Sequence, residues 1–468
     1  MSDSRTLLRR TAELAIDYLE GLPDRPVIGD HDVADLRAAL VTDLPEEGED
    51  AQRVVEELAS IGGRAAVAMA GPRYFGFVIG GSLPSALAAD WLTSTWDQNA
   101  GLYVAGPAAS VVEEAVGAWL LDLFGLPPTA GYGLVTGCQM AHFTCLAAAR
   151  QAVLERAGWD VTARGLFGAP EIEVIVGAEA HSTVHTALQY LGLGRDRVRT
   201  VEVDAQGRLT TAGLAAVLSA IPDDAPLIAC LQAGNVNSGS FDPFREAIGL
   251  LRRRDGAWVH VDGAFGLWAA ASRELAGLVD GVGLADSWAT DAHKWLNVPY
   301  DSGLAFVADT RAHVRAMAPP HAAYLVYGPE QERDQMSWVP EFSRRARGFA
   351  VYAALRTLGR AGVRDLVERC CALARRMAER LDAAPGVEIL NEVVLNQVLV
   401  RFTPPGGGDA DAFTREVIRR VQEDGTLWLS GTTWHDKAAM RISVSNWSTT
   451  EADTDRSVDA ILRCAAQG

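Results

Sequence analysis

The sequence predicts an α/β protein on a mainly parallel sheet, with a helical N-terminal segment and a small C-terminal α+β domain. Short apolar runs at residues 172–176, 227–231, 258–261, 286–288 and 304–307 alternate with helix-length stretches. That order winds a parallel sheet between covering helices. Residues 5–20 and 49–60 read as helices with too little chain around them to bury an apolar face. The tail carries strand patterns at 397–402 (QVLVRF) and 440–444 (MRISV) on either side of a helix at 411–422.

In chain order, Leu7, Leu8, Leu14, Ala15, Tyr18 and Leu19 share one broad side of the first helix. Residues 68–81 are apolar, Gly-rich and aromatic, an unusual composition for a surface loop. Segment 1–95 is therefore expected to pack on another subunit or on the main domain. Helical stretches at 111–124, 141–155, 183–191 and 214–220 separate the strands of a large domain spanning 96–365. Residues 344–382 are mainly helical with a break at 359–362, and 366–468 form the small domain.

The 468 residues suffice for two or three domains at roughly 100–200 residues each. Lys and Arg total 42 against 60 Asp and Glu, a net charge of -18. Phosphate-backbone binding needs clustered positive charge, so nucleic acid is not expected as a partner. The N-terminus shows no apolar signal-peptide core, and the longest uncharged stretch, 123–149, is interrupted by Pro, Gly, Gln and His. The six cysteines lack CxxC spacing, and the expected setting is a reducing cytoplasm.

The chain contains two lysines, Lys294 and Lys437; every other basic residue is arginine. Only the lysine amine readily loses a proton and attacks a carbonyl, so a lysine against such a background draws notice. Lys294 sits in Asp291-Ala292-His293-Lys294-Trp295, just past an apolar strand. It reads either as a solvated surface residue or as a Schiff-base lysine holding an aldehyde cofactor. Asp262 ends the run AWVHV and precedes Gly263 and Ala264. It either caps a turn or pairs with a protonated pyridine nitrogen, the electron sink of carbanion chemistry.

Gly137-Cys138-Gln139 precede a helix whose free N–H groups, with the Gln139 side chain and the Thr136 hydroxyl, suit a phosphate. The stretch does not fit GxxxxGK[ST]. His181, after the 171–176 strand, is either a helix cap or a stacking and acid–base residue. His142, His185 and His260 form no ligand set by spacing, so no metal site is expected. No GxSxG elbow supports a hydrolase triad.

Taken together, His260-Val261-Asp262-Gly263-Ala264-Phe265-Gly266, Asp291-Ala292-His293-Lys294-Trp295 and Ala180-His181-Ser182 resemble the group II pyridoxal-phosphate-dependent decarboxylases of aromatic amino acids, histidine and glutamate. The resemblance covers most of the chain, from Tyr74 to Gly362. It implies a large domain of the aspartate aminotransferase type, with pyridoxal 5'-phosphate bound covalently to Lys294. Asp262 would meet the pyridine nitrogen, His181 would stack over the ring and Ala264 would pack beneath it. Phosphate would be held around Cys138, Gln139 and His293, with Ser287. Asn235 or Asn237 would reach the ring substituents. A homodimer with active sites near the subunit interface is implied as well.

The expected reaction is decarboxylation of an L-amino acid to a primary amine. Tyr74, Phe75, Phe77, Val78, Trp96 and Tyr103 are the expected substrate pocket, favouring an apolar or aromatic substrate, while Arg73 leaves an acidic one open. One departure bears on the product. Aromatic-amino-acid decarboxylases carry a protonating tyrosine in the loop before Pro340, whereas Asp334 or Gln335 falls there, with Tyr324 and Tyr327 as shifted substitutes. Without that donor the carbanion can meet oxygen and yield an aldehyde, ammonia and peroxide, or enter another pyridoxal-phosphate carbanion reaction. A third reading is a catalytically silent relative, against which Lys294 and Asp262 both speak.

Overall fold

The computed structural model describes residues 4–29, 32–320 and 332–467. Four helices lead the chain: α1 (Ser4–Gly21), α2 (Val33–Leu40), α3 (Ala51–Ala65) and α4 (Pro84–Trp96). The large domain then runs through α5 (Pro107–Leu123), β1 (Gly131–Val135), α6 (Cys138–Arg156), α7 (Val161–Arg164), β2 (Glu173–Gly177), α8 (Ser182–Tyr190) and β3 (Val198–Val201). It continues through α9 (Thr211–Ser219), β4 (Leu227–Gln232), α10 (Phe244–Leu251), β5 (Trp258–Asp262), β6 (Ser287–Asp291), β7 (Gly303–Val307) and α11 (Thr310–Met317).

These strands form one seven-stranded sheet in the order β1-β7-β6-β5-β4-β2-β3. β7 alone runs antiparallel to its neighbours, so the sheet is mainly parallel, as expected, with one antiparallel strand. The reason lies in the connection: an antiparallel neighbour needs no crossover helix, and the short stretch 292–302 returns the chain directly from β6 to β7. Lys294 sits on that stretch.

Every residue of β4, β5, β6 and β7 is buried, as expected of strands covered on both faces. Alternation divides them between two cores. Leu227, Ala229 and Leu231 face one core with Val259 and Val261; Ile228, Cys230 and Trp258 face the other, beneath α6. β1 (GYGLV) escaped the sequence reading because its alternating glycines have weak strand propensity. They are needed for close packing: a Cβ at Gly133 would stand 2.7 Å from Val339 Cγ1.

α12 (Gly348–Asp382) runs through residues 365 and 366 and links the two domains; its non-helical residue is Gly359, at φ +60°. The small domain holds β8 (Val387–Ile389), β9 (Gln397–Phe402), α13 (Ala410–Asp424), β10 (Ser430–Trp434), β11 (Lys437–Ser443) and α14 (Glu451–Ala466). Its antiparallel sheet has the order β10-β11-β9-β8. Among the described residues, no helix is long and apolar enough to cross a membrane.

Two buried side chains tie distant segments together. Asn297 accepts the N–H groups of Gly81 (2.5 Å) and Trp447 (2.9 Å), and donates to the Ser445 carbonyl (2.9 Å). Arg344 donates to Glu113 on α5 (2.6 Å), to the Ala100 carbonyl (2.9 Å) and to the Leu134 carbonyl on β1 (2.6 Å). Both members of the Arg344–Glu113 pair are buried. Breaking a buried pair strands its partner's charge, so Glu113→Ala is predicted to cost about 3–5 kcal/mol of unfolding free energy. Urea denaturation measures this, and a loss below about 1 kcal/mol, as for an exposed pair, would contradict it.

Candidate active site

The carboxyl ends of β1, β2, β4, β5 and β6 open onto one cavity of about 390 Å³, where open α/β sheets place their ligands. Asp262 is the last residue of β5, and its Oδ1 accepts the Ala264 N–H at 3.1 Å. Burial opposes its ionisation, but His142, His181, the Ala264 N–H and Lys294 together hold its pKa below the ordinary aspartate value. Lys294 reaches the cavity from the β6–β7 connection, with Nζ 3.1 Å from Asp291 Oδ2. Burial pushes its ammonium down, yet Asp291 and Asp262 outweigh it and the net direction is up.

His181 caps α8. Its Nδ1 accepts the Thr183 N–H at 3.3 Å and lies 2.8 Å from Thr183 Oγ1. Nδ1 is thereby fixed as an acceptor, and burial lowers the ring's pKa and favours neutral imidazole. His293 Nδ1 accepts the Ser302 N–H at 3.0 Å, which turns Nε2 toward Asp291 Oδ1 at 3.4 Å. α6 begins at the cavity with Gly137 as its cap and no side-chain cap hydrogen bond. Its first N–H groups thus face the cavity without a capping side chain, a setting suited to an anion.

The structure brings Lys294, Asp262, His181, Ala264, Cys138, Gln139, His293 and Phe77 together as cavity-lining residues. Other residues singled out in the sequence are engaged elsewhere. Thr136 does not line the cavity. Ser287 Oγ accepts the Trp258 indole N–H at 2.9 Å inside the sheet. Asn235 accepts the backbone N–H groups of Asn237 and Ser238, closing its own turn. Asn237 Oδ1 accepts from Thr432 and from Arg441.

Of the aromatic segment, only Phe77 contributes to the lining. Tyr74 stacks on Trp428 at 5.1 Å, Phe75 and Val78 are buried, Trp96 packs edge-on against Phe349 and the Tyr103 N–H donates to Asp334. Arg73 is spent on the Thr426, Pro23 and Arg25 carbonyls and Asp453, so its guanidinium does not face a substrate. Gln335 is buried and Asp334 Oδ1 is engaged by the Tyr103 N–H, with neither residue lining the cavity. Tyr324 and Tyr327 lie outside the described residues.

Three contributors escaped the sequence reading. Asp291, the last residue of β6, is 2 % exposed, and its Oδ1 has no hydrogen-bond partner. Arg441 enters the cavity from β11 of the small domain; the signal available was one cation in the apolar run MRISV at 440–444. His142 Nε2 lies 3.4 Å from Cys138 Sγ and 3.5 Å from Asp262 Oδ1. These three ligand-type atoms lie within 4.8 Å of one another, a set that no sequence spacing could suggest because Asp262 is remote in the chain. Burial pushes the Cys138 thiol well up and keeps it protonated, which favours a hydrogen-bonded cluster over thiolate ligation.

An amine, a buried carboxylate, a neutral imidazole and an uncapped helix start are the donor set that a phosphorylated pyridine aldehyde requires. Asp291 adds a second carboxylate, its Oδ2 beside the amine and its Oδ1 facing His293 Nε2.

Known proteins agree with this chemistry. Aromatic-L-amino-acid decarboxylase of Bacillus atrophaeus is 26% identical, the match covering 96% of this chain and 93% of that protein. Cysteine sulfinic acid decarboxylase of Mus musculus is 27% identical over 79% of this chain and 75% of its own length. The structure of Oryza sativa TDC with PLP and tryptamine superposes with a TM-score of 0.91 at 24% identity, over 99% of this chain and 98% of that one. The profile of the pyridoxal-dependent decarboxylase conserved domain matches residues 34–403. The chain thus belongs to the pyridoxal-dependent decarboxylase family: it is an amino-acid carboxy-lyase that uses pyridoxal phosphate.

Proposed function

We propose that the protein converts an apolar or aromatic L-amino acid to its primary amine and CO2, using the cavity at the sheet's carboxyl edge. The observation that carries this reading is the convergence of Lys294, Asp262 and His181 from three separate strand ends on that cavity. We also assign the large domain to the aspartate aminotransferase type, on its sheet order and the position of this site.

When bound, pyridoxal phosphate supplies a ring that accepts the electron pair left by the departing carboxylate. In this reading Lys294 anchors the cofactor through its amine, and Asp262 keeps a proton on the ring nitrogen. His181, locked by Thr183, presents a flat neutral ring for stacking. The first N–H groups of α6, at Cys138 and Gln139, hold the phosphate with the help of the helix dipole. Phe77, Val236 and Phe265 line the cavity with apolar surface, which excludes water and suits an apolar side chain. Arg441 is placed to meet a substrate carboxylate, and its position is the one feature that favours testing acidic substrates too.

We further infer a homodimer. None of the residues in α1, α2 or α3 is buried, and Leu8, Val54 and Leu58 stand exposed on them. All six cysteines are unpaired and buried, in keeping with a reducing, cytoplasmic setting.

Three outcomes are predicted. Mass spectrometry of products from a panel of apolar, aromatic and acidic L-amino acids, incubated in air with the cofactor-loaded protein, should show an amine one CO2 lighter than its substrate. Aldehyde with ammonia and peroxide would instead mean that the loop lacking a tyrosine between residues 332 and 341 lets oxygen intercept the carbanion. Gly303→Ala should weaken cofactor binding about tenfold, roughly 1.4 kcal/mol, because the new Cβ would stand 2.4 Å from the Gly137 carbonyl carbon at the start of α6. Equilibrium dialysis measures it, and unchanged affinity would contradict the phosphate assignment. Light scattering should return twice the 50.0 kDa chain mass, and the monomer mass would overturn the dimer.

A further inference from the structure

Behind Asp262, on the side away from the cavity, lies a polar path that the reaction chemistry has not used. Trp258, His260 and Asp262 alternate along β5 and so share the face beneath α6, while Cys138 and His142 lie one turn apart on that helix. His142 and His260 are both 0 % exposed, and their Nδ1 and Nε2 atoms lie 2.9 Å apart. His260 Nδ1 is 3.0 Å from Ser287 Oγ, which accepts the Trp258 indole N–H at 2.9 Å. His142 Nε2 completes the path, 3.5 Å from Asp262 Oδ1.

The chemistry of the groups sets a direction along this path. Burial lowers the pKa of both histidines, that of His260 to about 3, so each ring carries a single N–H. An ionised Asp262 only accepts, and a bare ring nitrogen facing it at this buried position would set two lone pairs against each other. His142 therefore presents Nε2–H toward Asp262 Oδ1 and the adjacent Cys138 sulfur, 3.4 Å away, and its Nδ1 accepts from His260 Nε2–H. His260 Nδ1 then accepts the Ser287 hydroxyl, and the hydroxyl oxygen takes the indole proton of Trp258, a group that can only donate. No ring nitrogen or hydroxyl of this path is left without a partner.

We propose that His142 and His260 are positioning residues that act through Asp262, the donor chain fixing the inner carboxylate oxygen so that Asp262 stays charged and selects a cofactor ring with a protonated nitrogen. The proposal rests on the reading of Asp262 as the ring-nitrogen partner. Of the titratable groups near the carboxylate, Lys294, Asp291, His181 and the Cys138 thiol line the cavity, whereas His142, His260 and the buried Cys230 and Asp242 do not, and of these four only His142 and His260 offer an N–H donor. The relay thus addresses Asp262 from behind and leaves the cofactor face clear.

The test compares the affinity of apoprotein for pyridoxal phosphate with that for its 1-deaza analogue, in which CH replaces the ring nitrogen. Wild type should prefer pyridoxal phosphate. His142→Phe, similar in size but without a donor, should cut that preference about tenfold, the equivalent of one pKa unit of differential interaction. Its affinity for the analogue should stay close to wild type. Equal weakening of both ligands would reveal a packing role and overturn the proposal, as would an unchanged preference. Should His142→Phe fail to fold, Ser287→Ala removes the hydroxyl at the far end and should shift the preference in the same direction by a smaller factor; no shift overturns the relay. A wild type without any preference would overturn the Asp262 assignment itself, whereas a wild-type preference that both variants retain overturns the relay alone.

Discussion

Asp262 is 5 % exposed at the end of a strand whose every residue is buried, and an ionised carboxylate persists in such a place only when donors surround it. Much of the architecture serves that constraint. The Ala264 N–H turns back onto Oδ1, α6 brings His142 up behind it, Lys294 arrives from beyond the adjacent β6, and His181 from beyond β2, two strands away. The same arrangement that makes the charge tolerable also places an amine and an imidazole around it. Structural need and chemical use coincide in this residue.

The antiparallel strand β7 is the second condition. Because β6 and β7 join through a short return, Lys294 is held at the sheet edge instead of on a crossover helix, and Gly303 at the start of β7 lets Gly137 approach. Asn297, three positions beyond Lys294, binds this return to Gly81 in the aromatic segment and to Ser445 and Trp447 in the small domain. The lysine loop, the segment bearing Phe77 and the strand bearing Arg441 are consequently one mechanical unit, even though they come from three parts of the chain.

The parts of this account that were legible in the sequence are those written in contiguous residues. Asp262 and Lys294 announced themselves by following apolar runs and by chemistry that few residue types supply, and the alternation of strands and helices gave the large domain. What escaped depends on contacts across the chain. β1 was hidden by glycines that serve packing. Arg441 and Asn297 act from elements far from the residues they meet. The aromatic segment looked like a substrate wall, but a ring's identity does not reveal whether it faces a cavity or, as Tyr74 does, stacks on a tryptophan. The His142–His260 contact joins positions 118 residues apart, and no local pattern marks it.

The central claim is that Lys294 is the residue to which the cofactor is joined, and the composition makes it directly testable, since the chain offers only one other lysine, Lys437. Borohydride reduction of the pyridoxal-phosphate-loaded protein, followed by peptide mapping, fixes the cofactor to its attachment point. The account predicts a stoichiometric phosphopyridoxyl group on the peptide that contains Lys294 and none on Lys437. Label on Lys437, or loaded protein without label on either lysine, would contradict it.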